Sequence, residues 1–161
     1  MALVRPQHVE PALVVICGDG RLKSLRIQID DELGGDAFLY TPPGGPAAFL
    51  SEATRSTALQ SVLDYFDVRP FNLIILAMQQ DCGKLGNLND VPALYKIGDQ
   101  SAEYVWRYLA NRRGAQVPVQ VRVYDQLVDE SSGNKLFPLR ERPEGTGDAY
   151  TVLDIPVTLT N

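Results

Sequence analysis

Two short stretches contain the residues whose types and spacing could do chemistry. "VVICGDGRLKS" places Cys17, Asp19 and Arg21 within five positions, and "AMQQDCGKL" contains Gln79 and Cys82. Thiolates bind soft metal ions such as zinc, and two neighbouring thiols can also form a reversible disulfide. An aspartate between glycines is equally good turn chemistry, and its ion pair with an arginine can simply hold a loop. The residues alone leave these alternatives open.

Composition limits the classes of protein to consider. The chain has 161 residues, 45% of them hydrophobic, and we expect a single domain over residues 1–161. Its 15 basic and 20 acidic residues give a net charge of −5, which argues against nucleic-acid binding because such proteins need a basic face. No leader-like or membrane-spanning apolar run stands out, so we expect a cytoplasmic protein without a membrane partner.

The expected cytoplasmic location bears on the chemistry of the two cysteines. In a reducing cytoplasm, paired thiols are more often metal-binding or catalytic than disulfide-bonded. The ordinary alternative is that Cys17 and Cys82 are small buried hydrophobic residues. Only their position in the fold separates these possibilities.

Apolar patterns predict strands that alternate with helices. Continuous apolar runs predict strands at 12–17, 37–40 and 72–78, and alternation in "VPVQVRVYD" predicts another at 117–125 with one less protected face. Helical spacing predicts helices within 51–66 and 100–113. A hairpin return through "LFPL" and an edge strand in "AYTVLDIPVTL" follow a turn at "SSGNK". This order predicts an α/β fold with a mainly parallel central sheet flanked by helices and a C-terminal hairpin or edge strand.

Both cysteines follow predicted strands. Cys17 ends the first strand, and residues 79–82 come directly after the third. Ligands of parallel sheets bind at the carboxyl ends of the strands. If these two strands are neighbours, both thiols reach the same edge of the sheet, which is the structural reason to treat them as a pair.

The same stretches, in the same order, resemble the β-class carbonic anhydrases. That family has a strand ending in Cys-x-Asp-x-Arg and a later strand ending in His-x-x-Cys-Gly; here residues 17–21 complete the first motif, and Asp81-Cys82-Gly83 follows the third strand. "GGDAFLYTPPGG", "TALQSVLDYFDVRPFNLIILAMQQDCGKL" and "VRVYDQLVDESSGNKLFPL" resemble further segments of the family, so the likeness spans roughly residues 12 to 139. The resemblance implies a β-carbonic-anhydrase-like fold and assembly into a homodimer or a higher homo-oligomer.

The resemblance also implies a zinc site, which differs here at one position. Cys17 and Cys82 match two zinc ligands, Asp19 and Arg21 match the catalytic pair that orients the zinc-bound water, and Gln79 stands at the position of the zinc-binding histidine. A glutamine amide is a neutral, hard ligand that suits calcium or magnesium better than a thiolate-rich zinc site. We therefore expect zinc to bind weakly or not at all.

Two residues are candidates to replace the missing histidine. Asp19 is the first, since in some family members this aspartate binds the metal, which here gives a site of Cys17, Asp19 and Cys82. The second is His8, the only histidine in the chain. It precedes the first strand, so it could reach the site only from a partner subunit or through a folded-back arm.

Three functions compete on these observations. The first is a carbonic-anhydrase-like binding or scaffold protein that lacks efficient CO2 hydration and has a pocket for a small molecule at Gln79 and Gly83. The second is a zinc-dependent carbonic anhydrase, or a related hydrolase of small electrophiles. The third is a thiol or redox protein that uses the two cysteines. Thr41-Pro42, where the family usually has Arg-Asn, favours the first function, and we expect no nucleotide cofactor for any of them.

Overall fold

The computed structural model describes residues 11–18, 22–35, 37–80, 82–86, 90–124 and 139–140. The strands are β1 (Ala12–Ile16), β2 (Ala37–Tyr40), β3 (Leu73–Gln79), β4 (Val119–Tyr124) and β5 (Leu139–Arg140). The helices are α1 (Lys23–Glu32), α2 (Arg55–Val68) and α3 (Val91–Arg113), with short 3-10 helices at Gly45–Phe49 and Gly83–Leu85. This order confirms the predicted α/β class.

The five described strands form one sheet in the order β2-β1-β3-β4-β5. The first four are parallel, and β5 runs antiparallel to β4. In the pairing of β1 with β3, Ile16 lies opposite Ala77, so the carboxyl ends of these two strands are level. The predicted mainly parallel sheet is therefore confirmed, and its central strands β1 and β3 are neighbours.

Alternation along the strands divides the core into two layers. Leu13 and Val15 of β1 face α2 and α3, whereas Val14 and Ile16 face α1. Each fully buried aliphatic side chain of this kind contributes about 1.5–3 kcal/mol through removal from water. Because both faces are covered, the central strands are continuous apolar runs, which is why the sequence pattern located them.

Two helices differ from the sequence prediction. Helix α1 was not predicted, because it buries only a narrow stripe of Leu25 and Ile29 with Leu22 just before it. Helix α3 begins at Val91 and not near residue 100. The Asp90 side chain accepts a hydrogen bond from the Ala93 N–H at 3.3 Å and caps this earlier start.

The C-terminal part of the prediction is only partly within the described residues. The hairpin return was expected at "LFPL", residues 136–139, and is observed as β5, which covers Leu139–Arg140. It pairs Leu139 with Tyr124. The predicted edge strand in "AYTVLDIPVTL" lies outside the described residues. Among the helices that the structure describes, none is both long and apolar enough to cross a membrane.

Candidate functional site

The two cysteines meet at the carboxyl edge of the sheet. Cys17 follows β1 and is half-buried, and Cys82 lies after β3 and is 2% exposed. Cys17 lies close enough to Cys82 to influence its thiol. Arg26 of α1 holds the end of β1 by donating from Nη1 to the Cys17 carbonyl oxygen at 3.3 Å. The level ends of β1 and β3 thus bring two thiols together that are far apart in sequence.

The surroundings of Cys82 favour its neutral thiol. Burial raises the pKa of this thiol above its ordinary value of 9.0, and the nearby Cys17 raises it further. The nearby backbone N–H groups of Lys84 and Leu85 favour the thiolate and oppose the rise in pKa. Burial outweighs the effect of these two groups, so Cys82 is protonated at neutral pH.

Gln79 is the most unusual polar residue of this edge. It ends β3 and is only 3% exposed. Alternation directs its side chain to the same face as Ile75 and Ala77, the face against which Cys17 packs. Neither its Oε1 nor its Nε2 has a hydrogen-bond partner among the described residues. An unpaired buried amide costs about 1–3 kcal/mol, so this side chain needs a partner that the described chain does not provide.

A row of polar side chains on β4 continues the site. These residues were not predicted from the sequence to belong to it. Tyr124 lies opposite Gln79 in the parallel register and is 4% exposed. Arg122 donates from Nη1 to the Tyr124 hydroxyl at 3.2 Å and from Nε to the Gln120 Oε1 at 2.9 Å. The alternation in "VPVQVRVYD" was a signal for these residues, since it placed Gln120 and Arg122 on one face.

The glycine-rich turn after β2 closes the other side of the site. Gly45 has a φ of +57°, and a Cβ there would lie 2.9 Å from the Cys17 backbone N. The 3-10 helix that begins at Gly45 is held from α3, where the buried Ser101 hydroxyl lies 2.9 Å from the Pro46 carbonyl oxygen and 2.8 Å from that of Ile97. A glycine is required here because the turn touches the end of β1.

Several predicted site residues lie outside the described part of the chain. Asp19, Arg21 and His8 are among them, so the structure neither places them at the site nor separates them from it. Gly83 begins the 3-10 helix that follows Cys82. The catalytic and metal-binding roles assigned from the sequence therefore stay predictions.

The described donors do not by themselves fit a catalytic zinc ion. Such an ion takes about three protein ligands, usually thiolate, imidazole or carboxylate, and keeps one open position. Within the described ranges, no group of three or more histidine, cysteine, aspartate or glutamate side chains could hold a metal ion. Among the described residues, this edge offers two thiols and the neutral amide of Gln79.

The comparisons with known proteins give a distant likeness. No protein-family model and no curated protein sequence matches the chain. A similar solved structure is that of the β-carbonic anhydrase CafA of the fungal pathogen Aspergillus fumigatus, with 14% identity and a TM-score of 0.48 over 84% of this chain and 78% of that one.

Proposed function

We propose that the carboxyl edge formed by Cys17, Gln79 and Cys82 binds a small polar molecule, and that this carbonic-anhydrase-like chain does not hydrate CO2 efficiently. The observation that supports binding is the buried Gln79 amide, whose donor and acceptor are both unused among the described residues. A ligand that accepts one hydrogen bond and donates another satisfies both atoms. Binding then recovers the free energy that an amide without partners among the described residues costs the ligand-free protein.

Weak hydration follows from the chemistry of the donors. Zinc catalysis depends on a metal that lowers the pKa of its bound water to about 7. A neutral amide at position 79 binds zinc more weakly than an imidazole does. Two thiols and an amide therefore serve binding better than they serve hydrolysis or hydration.

Metal content and hydration test the second half of the proposal. Protein purified without chelators or metal-affinity tags should contain far less than one zinc per chain and hydrate CO2 at the background rate. Near-stoichiometric zinc with hydration above background would overturn the proposal and favour the zinc site of Cys17, Asp19 and Cys82. Gln79→His should raise zinc affinity if the remaining site is intact, with Gln100→His on the exposed surface of α3 as the control.

Ligand titration tests the first half. Acetamide, which both donates and accepts, and bicarbonate are added to the full chain while amide chemical shifts are followed by NMR. Shifts confined to the ends of β1, β3 and β4 that vanish in Gln79→Met support the proposal. No saturable shift with either probe, or unchanged binding in Gln79→Met, would contradict it, and neither result depends on zinc.

A second candidate function is supported by the proximity of the two thiols. With glutathione disulfide as the oxidant, Cys17 and Cys82 would form one S–S bond while the oxidant is reduced to two glutathione thiols; two protons and two electrons leave the protein. Mass spectrometry after equilibration in glutathione buffers should then show loss of two hydrogens at a defined potential. A protein that stays fully reduced, or that gains only mixed disulfides, would exclude this function.

A further inference from the structure

A cavity whose lining differs in chemistry from the thiol site lies beside it. It is bounded by the end of β2, the glycine-rich turn, the start of α2 and the 3-10 helix Gly83–Leu85, and its volume is about 530 Å³. This volume is in the range of small-molecule sites. The walls are mainly apolar and include Pro42, Pro43, Ala47, Ala48, Ala58 and Leu85. Neither cysteine nor Gln79 lines it, so it is separate from the site described above.

Lys84 is the one charged side chain among the described residues that line this cavity. Its aliphatic stem lies against Gly44, where an added Cβ would be 2.9 Å from the Lys84 Cγ and 3.3 Å from its Cβ. The turn thus fixes the stem of Lys84, an exposed residue that lines the cavity. No ion pair joins Lys84 to any residue in the described part of the chain.

The polar groups that line the cavity match an anion better than a cation. Tyr40, Ser51 and Thr57 also line the cavity and bring hydroxyl groups, whereas no described lining residue carries a carboxylate. The whole chain has a net charge of −5, which disfavours anions over most of its surface. The cavity with Lys84 is therefore locally positive in a protein whose net charge is negative.

We propose that this cavity binds a small monocarboxylate with an apolar body, such as a short fatty acid. The carboxylate pairs with the Lys84 ammonium, and the hydrocarbon part packs against the proline and alanine walls. Burial of the apolar part of the ligand supplies affinity. The charge-assisted bond to Lys84 selects a carboxylate over a neutral head group. This binding does not depend on the thiol site or on the function proposed for it.

Three probes of equal chain length test the proposal on the full chain. Hexanoate, hexanamide and hexylamine are titrated by isothermal calorimetry at low salt and again at 0.5 M salt. Hexanoate should bind about tenfold more tightly than hexanamide, since a hydrogen bond to a charged group is worth this much in affinity, and the advantage should shrink with salt. Equal affinity for hexanoate and hexanamide, preference for hexylamine, or no saturable binding of hexanoate would overturn it.

Variants locate the binding. Lys84→Met should weaken hexanoate binding about tenfold and leave hexanamide binding unchanged. The control Lys96→Met removes an exposed lysine of α3 that does not line the cavity, and it should change neither affinity. Ala53→Phe, at an exposed lining position, should weaken both ligands by filling the space. Unchanged hexanoate binding in Lys84→Met would overturn the assignment of the carboxylate to Lys84.

Discussion

Replacing Gln79 by methionine should stabilise the ligand-free protein, although the change lies in the candidate site. The side chain is 3% exposed and both of its amide atoms lack partners among the described residues. An unpaired buried polar group of this kind costs about 1–3 kcal/mol. Methionine has a similar length and no strong hydrogen-bonding atom, so it keeps the volume while it removes that cost. We expect the free energy of unfolding to rise by about 1–3 kcal/mol.

Urea unfolding measures this change directly. The single tryptophan, Trp106, is 2% exposed, so its fluorescence reports the exposure of the core on unfolding. With a slope of about 1–3 kcal/mol per molar urea, the predicted gain moves the midpoint upward by about 1 M while the slope stays the same. Gln100→Met, on the exposed surface of α3, is the matched control and should change stability by less than about 0.5 kcal/mol.

The opposite result would refute the reasoning. If Gln79→Met lowers the midpoint, the native amide makes hydrogen bonds in the ligand-free protein, and the argument for a ligand at this edge is lost. A stabilised variant that no longer binds acetamide would show instead that the protein keeps a costly amide for the sake of binding.

Three further perturbations test other parts of the structure. Gly98→Ala should destabilise the protein by about 1–3 kcal/mol, because the added Cβ would overlap Val121 Cγ1 of β4; Val121→Ala in the same chain should restore part of the loss in urea midpoint. The hydrogen bonds from Arg113 hold the pKa of Asp67 below its ordinary value of 3.8. Their contribution to the stability of the folded protein is therefore complete above pH 3.8, and it is lost as the pH falls through the lowered pKa. The difference in urea midpoint between the native chain and Asp67→Asn should accordingly be larger at pH 7 than at pH 2. Cys82 should react with iodoacetamide along a pH profile whose midpoint lies above 9.0, measured by peptide mass spectrometry, and a midpoint below 9.0 would contradict the effect of burial.

The sequence located the sheet well and the helices less well, for physical reasons. The run at 12–17 is β1 with one residue added, because strands covered on both faces have no polar positions to obscure them. Helix α3 was predicted to begin near residue 100, although Pro92 is compatible with the earlier start because a proline in the first turn costs no hydrogen bond. Gly98 lies inside the same helix because β4 packs closely there, which only the fold reveals.

The candidate site, too, could be predicted from the sequence only in part. The meeting of Cys17 with Cys82 could be predicted, because it requires only that each ends or follows one of two neighbouring parallel strands. The lack of partners for Gln79 among the described residues depends on packing between elements, which no local pattern encodes. The same is true of the hydrogen bond from Arg122 to Tyr124. The single-domain extent, the cytoplasmic location and the homodimer stay predictions.

The order of the strands in the sheet also has a consequence for how the chain reaches its native state on the ribosome. Strand β1 is synthesised first but lies between β2 and β3, and β3 in turn lies between β1 and β4. Ser101, which holds the turn at Pro46, is separated from it by 55 positions. Contacts of such long sequence separation form slowly because the loop must close before the contact is made. Strand β1 therefore gains its second neighbour only after β3 has emerged, and the candidate site is completed only after β4 has been made.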